Sequence, residues 1–180
     1  MNEGLIPRRY AKALYKVALE RKCDRQMYTL MQNLTAAFAA NDRLQTAVAN
    51  PFVANADKDA LLTTAAGAGA QDKTFADFLK LLAENHRIDF AAQIARSYVD
   101  IYRLEHHIHR VEVVSAAPLA PEVLDRIKQM VQQQIGQGTM EFSTDINPAL
   151  IGGFIVNIDN ERLDASLSTQ FNELRRGLLN

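Results

Sequence analysis

Two adjacent glycines, Gly152 and Gly153, stand before a run of branched apolar residues in "IGGFIVNID" (151–159). A glycine pair can present backbone N–H groups to a phosphate where a strand, a glycine loop and a helix N-terminus follow in that order. Here the glycines run straight into a strand pattern, where glycine marks a bulge or a close backbone approach. The "GQG" at 136–138 is followed by neither a lysine nor a helix. "HHIH" gathers His106, His107 and His109. On a helix, His106 and His109 would share a face and could pair on a metal, but two ligands fall short of a closed site. Cys23, the single cysteine, sits in "KCD" beside Lys22 with no identifiable base partner. No motif pairs two carboxylates for acid–base work. These residues predict a chain without catalysis, cofactor or metal of its own.

The rest of the composition points the same way. The 180 residues are 48% apolar and 23% charged, with net charge −1. That balance suits a globular protein and offers no bulk electrostatics for nucleic acid. The longest apolar run, "ALIGGFIV", is far shorter than the roughly 20 residues of a membrane span. A lone cysteine cannot form an internal disulfide, which fits a reducing compartment. From Gly4 to Leu19 there is no acid, while Arg8, Arg9, Lys12 and Lys16 are basic. Such a pattern occurs in presequences and membrane-surface helices. Against both, the segment lacks serine, and apolar residues cover too much of the helix.

Composition shifts near residue 109. Residues 1–109 hold 21 of the 26 alanines, and residues 110–180 hold 12 of the 21 valines and isoleucines. Alanine favours helix and branched residues favour strand. Two domains follow, 1–107 and 108–180. The first reads as six helices: 5–21 with Pro7 in its first turn, about 25–40 capped by Asp24, a short one opened by a capping box at Asp42, about 56–66, about 72–85, and Asp89 to about His107. Short links make it a bundle. The second alternates: a strand at 110–116, a helix at 121–135 ended by Gly136, strand patterns at "TMEFSTDI", "IGGFIVNID" and "RLDA" with a turn at Asp159-Asn160, and a last helix from about Ser166 to Leu179 with Asp164 near its cap. The fold class is mainly α with a small α/β part.

The first helix carries two apolar stripes. Tyr10, Leu14, Val17 and Arg21 follow one, and Ala11, Tyr15, Ala18 and Leu19 the neighbouring one. A bundle surface helix needs one such stripe. Either this helix is central and buried, or one stripe packs inward and the other lines a groove for a partner helix.

Four stretches together resemble a known family: "RRYAKALYKVA" (8–18), "FLKLLAENHRID" (78–89), "VEVVSAAPL" (111–119) and above all "INPALIGGFIVNIDNERLDASLSTQFNELRRGL" (146–178). They resemble the delta subunit of the bacterial F-type ATP synthase, called the oligomycin sensitivity conferral protein in mitochondria. The resemblance implies a non-catalytic stator subunit, one copy per complex, without membrane insertion. Its six-helix bundle would bind N-terminal helical segments of the alpha subunits in a groove between the first and fifth helices. Tyr10, Ala11, Leu14 and Ala18 would face Phe78, Leu79 and Leu82 there. Its α/β domain would hold the end of the b-subunit stalk, through Ile155, Leu167, Phe171, Leu174 and Leu178. The lack of an extra leader points to a bacterial form, at the cytoplasmic face of the inner membrane. The family pattern often has glycine after the aspartate and basic residues early in the last helix. Here Ala165 follows Asp164, and Ser168, Thr169 and Gln170 occupy that turn. The competing reading is an RNA-associated assembly factor, which would need a basic stripe. The second domain is instead net acidic.

Overall fold

Helical spacing in the alanine-rich half folds, in the computed structural model, into α1 (Leu5–Glu20), α2 (Asp24–Ala40), α3 (Asp42–Ala49), α4 (Asn55–Ala66), α5 (Lys73–Glu84) and α6 (Ala91–Glu105). The structure describes residues 4–69, 71–150, 152–159 and 161–166. The chain separates into two compact units, Met1–Leu104 and Glu105–Asn180.

Helix boundaries depart from expectation where local backbone chemistry decides them. Asp24 is the first residue of α2 rather than its cap; Cys23 holds the cap position and makes no side-chain cap bond. Asn41, not Asp42, caps α3. Its backbone is extended and its side chain accepts from the Arg43 N–H at 3.1 Å. A 3₁₀ turn at Ile88–Phe90 delays the start of α6 to Ala91. Both α1 and α5 end without glycine. Lys22 and His86 take left-handed backbone, each with φ 54°. The Cys23 and Arg87 N–H groups then reach back to the Ala18 and Leu82 carbonyls at 2.9 and 2.8 Å, closing each helix in a Schellman motif.

The core of this unit holds Tyr98, Phe75, Met31, Leu34, Leu62, Leu79, Leu82 and Ile94, all fully buried. Tyrosines tie α1, α2 and α6 together. The Tyr15 ring meets Tyr98 edge-on at 6.0 Å and Tyr102 at 6.3 Å, while Tyr28 stacks on Tyr102 at 4.1 Å. Such pairs contribute about 0.5–1.5 kcal/mol beyond their buried area. The Tyr98 hydroxyl donates to the Asp24 carbonyl at 3.3 Å, and burial, aided by the nearby Asp24 charge, pushes its ionisation upward.

The second unit is built from β1 (Ile108–Ser115), α7 (Pro121–Ile135), β2 (Thr139–Ile146), β3 (Gly153–Ile158) and β4 (Glu161–Ser166). The sheet order is β2-β1-β3-β4. The α7 crossover makes β1 and β2 parallel; the other pairs are antiparallel. Pro121 stands in the first turn of α7, where its missing N–H costs nothing. Val111, Val113, Val156 and Ile158 alternate onto one sheet face and pack against Ile127 and Val131 of α7. Gly153 opens β3 with φ 79°, a conformation that favours glycine. Ser166, expected to open the last helix, pairs with Gly153 and ends β4. Asp164 likewise lies within β4, its carboxylate accepting from the Ser166 N–H at 2.9 Å. The remainder of that expected helix lies outside the described residues.

One half-buried carboxylate stands out. Asp59 on α4 has an oxygen with no hydrogen-bond partner among the described residues, and burial raises its pKa above the ordinary 3.8. A carboxyl whose folded pKa is raised holds its proton longer in the folded state, so stability falls as pH rises from 3.8 through the folded value. Asp59→Ala should therefore raise stability at neutral pH by about 1 kcal/mol. The gain should shrink as pH falls towards 3.8. Urea unfolding at two pH values checks both.

Candidate binding site

Helix α1 turns its two neighbouring stripes to different surroundings. Ala11, Leu14, Tyr15 and Ala18 turn into the bundle, with Ala11 and Ala18 wholly without exposed surface. Tyr10, Ala13, Leu14 and Val17 face a cleft of about 260 Å³, closed on its other side by Thr74, Asp77, Phe78 and Leu81 of α5. Leu14 and Phe78 form the buried floor. Val17 and Leu81 stand on the walls, 37% and 46% exposed. At one end Arg21 follows α1, donating to the Asp77 carboxylate at 2.8 Å and to Thr74 Oγ1 at 3.2 Å. These contacts show the end of α1 beside the start of α5, so the two helices flank the cleft in antiparallel order.

Of the residues expected here, Tyr10, Leu14 and Phe78 line the cleft. Ala11, Ala18, Leu79 and Leu82 do not: all four are buried at 2% exposure or less. The resemblance had placed the alanines in the groove. The alanines instead allow close approach inside the bundle. Ala13, Val17, Leu81 and Thr74 complete the cleft and were not singled out. Their signal was available, since Val17 and Arg21 continue the Tyr10–Leu14 stripe and Leu81 follows Phe78 by three. Ile155 is also buried, at 6%. Strand alternation places it on the sheet face away from α7, paired with Val114 and Asp164. Leu167, Phe171, Leu174 and Leu178 lie outside the described residues.

The other candidates are local structure. Helix α6 stops at Glu105 and His107 turns left-handed at φ 51°, which carries His109 into β1. The expected His106–His109 helical face does not form. His109 Nδ1 lies 2.7 Å from the Asp159 carboxylate, which also accepts from the Arg110 N–H at 2.9 Å. Asp159, at φ 49°, is thereby pinned in the turn after β3. The Cys23 thiol meets Thr74 Oγ1 at 3.6 Å. A polar recess on the sheet is lined by Arg110, Glu112, Asn157, Asp159, Glu161 and Arg162, whose charges partly answer one another: Arg110–Glu112 at 3.8 Å. No helix among the described residues is long and apolar enough to cross a membrane.

A helical bundle with an apolar cleft along two antiparallel helices, followed in sequence by a small α/β unit, places the chain in the class of mainly α proteins built of two units. The comparisons give that class a family. The model of the ATP synthase delta (OSCP) subunit family matches residues 6–178. The ATP synthase subunit delta of Parabacteroides distasonis is 35% identical over 179 residues, covering 99% of this chain and 98% of that one. The ATP synthase subunit delta of Bacteroides thetaiotaomicron is 34% identical, covering 98% and 95%. A chain of the Toxoplasma gondii mitochondrial ATP synthase hexamer shares the fold, with TM-score 0.73 at 20% identity over 97% of each chain. The chain belongs to the ATP synthase delta (OSCP) subunit family and is a structural, non-catalytic subunit of that complex.

Burial of the alanines gives a test of cleft geometry. Ala18→Trp should overpack the bundle and lower its stability by about 3 kcal/mol or more. Ala13→Trp, on the exposed wall, should shift the melting temperature little. Thermal unfolding of the two variants separates them. Equal melting temperatures would contradict the assignment of faces.

Proposed function

We propose that this chain is the stator link of a bacterial ATP synthase. Its α1–α5 cleft receives a helical N-terminal segment of an alpha subunit of the catalytic head. Its second unit holds the end of the b-subunit stalk. One copy per complex then keeps the head from turning with the rotor, as a peripheral component at the cytoplasmic face of the membrane. The observation that carries the first contact is the cleft itself: exposed Val17 and Leu81 over a floor of Leu14 and Phe78, which suits apolar side chains at i, i+3, i+4 and i+7. Burying a leucine-sized anchor contributes roughly 1.5–3 kcal/mol. Three or four anchors contribute roughly 5–12 kcal/mol before the ordering of a free peptide is subtracted, so micromolar binding, about −8 kcal/mol, lies at the upper end of what they supply. The stalk contact rests on family membership and on the separate second unit.

The test is calorimetric titration of the full chain with the alpha N-terminal segment. Ala13→Trp should weaken binding at least tenfold, about 1.4 kcal/mol. Normal binding by a folded Ala13→Trp protein would put the contact elsewhere. Truncating the chain after Ser166 should abolish capture of the b subunit while alpha-segment binding persists. Retained b capture would reject the second assignment.

A further inference from the structure

Helix α1 carries Arg8, Arg9, Lys12 and Lys16, all exposed, and its first acid is Glu20. Among the described residues none of these four cations has an ion pair or a side-chain hydrogen bond. The chain as a whole has net charge −1, so this concentration is local. Its position relative to the cleft is set by helix geometry. Arg9 precedes the cleft wall residue Ala13 by four, and Lys16 follows it by three, so both stand immediately outside that wall. Lys12 lies just beyond them. The matching edge of α5 reads Lys73, Asp77, Lys80 and Glu84, with signs alternating and Asp77 already held by Arg21. One rim of the cleft is therefore an uncompensated cationic edge and the other is balanced.

We infer that this asymmetry selects and orients the occupant: the bound segment is an amphipathic helix whose flank over α1 carries aspartate and glutamate, while its flank over α5 is neutral or mixed. This rests on the cleft being the alpha-segment site. Charge complementarity beside an apolar seam raises the encounter rate and suppresses the helix rotated the wrong way about its axis. A membrane surface fits the same cations less well. Interfacial binding needs a broad apolar face next to the charges. On α1 one apolar stripe is inside the bundle and another lines the recessed cleft; Leu5 and Leu19, exposed beyond them, stand near opposite ends of the helix.

The test is a double-mutant cycle on the full chain. The alpha N-terminal segment is titrated as the native peptide and as a version with its Asp and Glu replaced by Asn and Gln. Each is measured against wild type, Arg9→Gln/Lys12→Gln/Lys16→Gln and Ala13→Trp. Neutralising the peptide should weaken binding to wild type about tenfold at low salt, and to the triple variant less than about twofold. An equal loss on both proteins overturns the inference; the cleft reading still stands if Ala13→Trp has lost binding. If Ala13→Trp binds normally, the cleft reading fails and the inference with it. Sedimentation with phosphatidylglycerol–phosphatidylcholine vesicles supplies the other arm. Vesicle binding lost in the triple variant, with no coupling to the peptide charges, would assign the cations to a membrane and overturn the inference.

Discussion

Two alanines on α1 set the geometry on which the binding face depends. Ala11 and Ala18 have no exposed surface, and without long side chains they let the backbone of α1 settle deep against its neighbours. Tyr15, one turn after Ala11, can then reach both Tyr98 and Tyr102 of α6. With α1 seated, Leu14 is shared between the interior and the cleft floor, and the stripe one step around the helix remains open. A larger residue at Ala11 or Ala18 would lift the helix and alter the cleft floor as well as the core. The same packing thus fixes stability and the shape of the open face. That is why a helix with nearly two apolar stripes need not be central to its bundle.

Much of this was legible in the sequence because it rests on period. The six helices and the β-α-β-β-β order follow from spacing and from the alanine-to-branched shift, and most element ends fell within a residue or two. Ends set by left-handed residues were harder to read. Lys22, His86 and His107 occupy backbone that usually announces itself by glycine, so the sequence carried no punctuation there. The junction near His107 was read, but two residues late: α6 stops at Glu105, so His106 is already outside the helix. The cleft was half legible. Tyr10, Ala11, Leu14, Ala18, Phe78, Leu79 and Leu82 all came from the family resemblance, and a resemblance does not say which way each residue faces: Tyr10, Leu14 and Phe78 line the cleft, while Ala11 and Ala18 are buried. Only the three-dimensional course of α5 distinguishes Leu81, on the wall, from Leu82, in the core.

In the second unit the glycine pair illustrates how context decides chemistry. The same residues before a helix would present N–H groups to an anion. Before β3 they allow the chain to enter the sheet at φ 79°, pairing Gly153 with Ser166. Parallel pairing of β1 with β2 requires a crossover, and α7 supplies both that connection and the apolar cover for Val111 and Val113. The exit from β3 is held by Asp159, which takes hydrogen bonds from β1 on its carboxylate and donates its own N–H to the Arg110 carbonyl at 2.9 Å. Polar groups here complete the sheet rather than form a reactive site.

A link that holds a catalytic head against a turning rotor must resist dissociation for many cycles, and residence time is governed mainly by the off-rate. Buried apolar anchors serve that end, because leaving them exposes their whole surface to water at once. Charges at a rim act earlier, on the rate and orientation of encounter, and are screened over about 8 Å at physiological salt. In the proposed binding mode the cleft separates these tasks spatially. Its floor is Leu14 and Phe78, and its basic edge is displaced to the outer side of α1. The Arg21–Asp77 pair does neither. At 49% and 64% side-chain exposure it contributes little to stability, and it marks where the end of α1 lies beside the start of α5. The spacing of the two walls is set by the buried packing of α1 and α5, and a preformed spacing lowers the ordering cost of whatever helix enters between them.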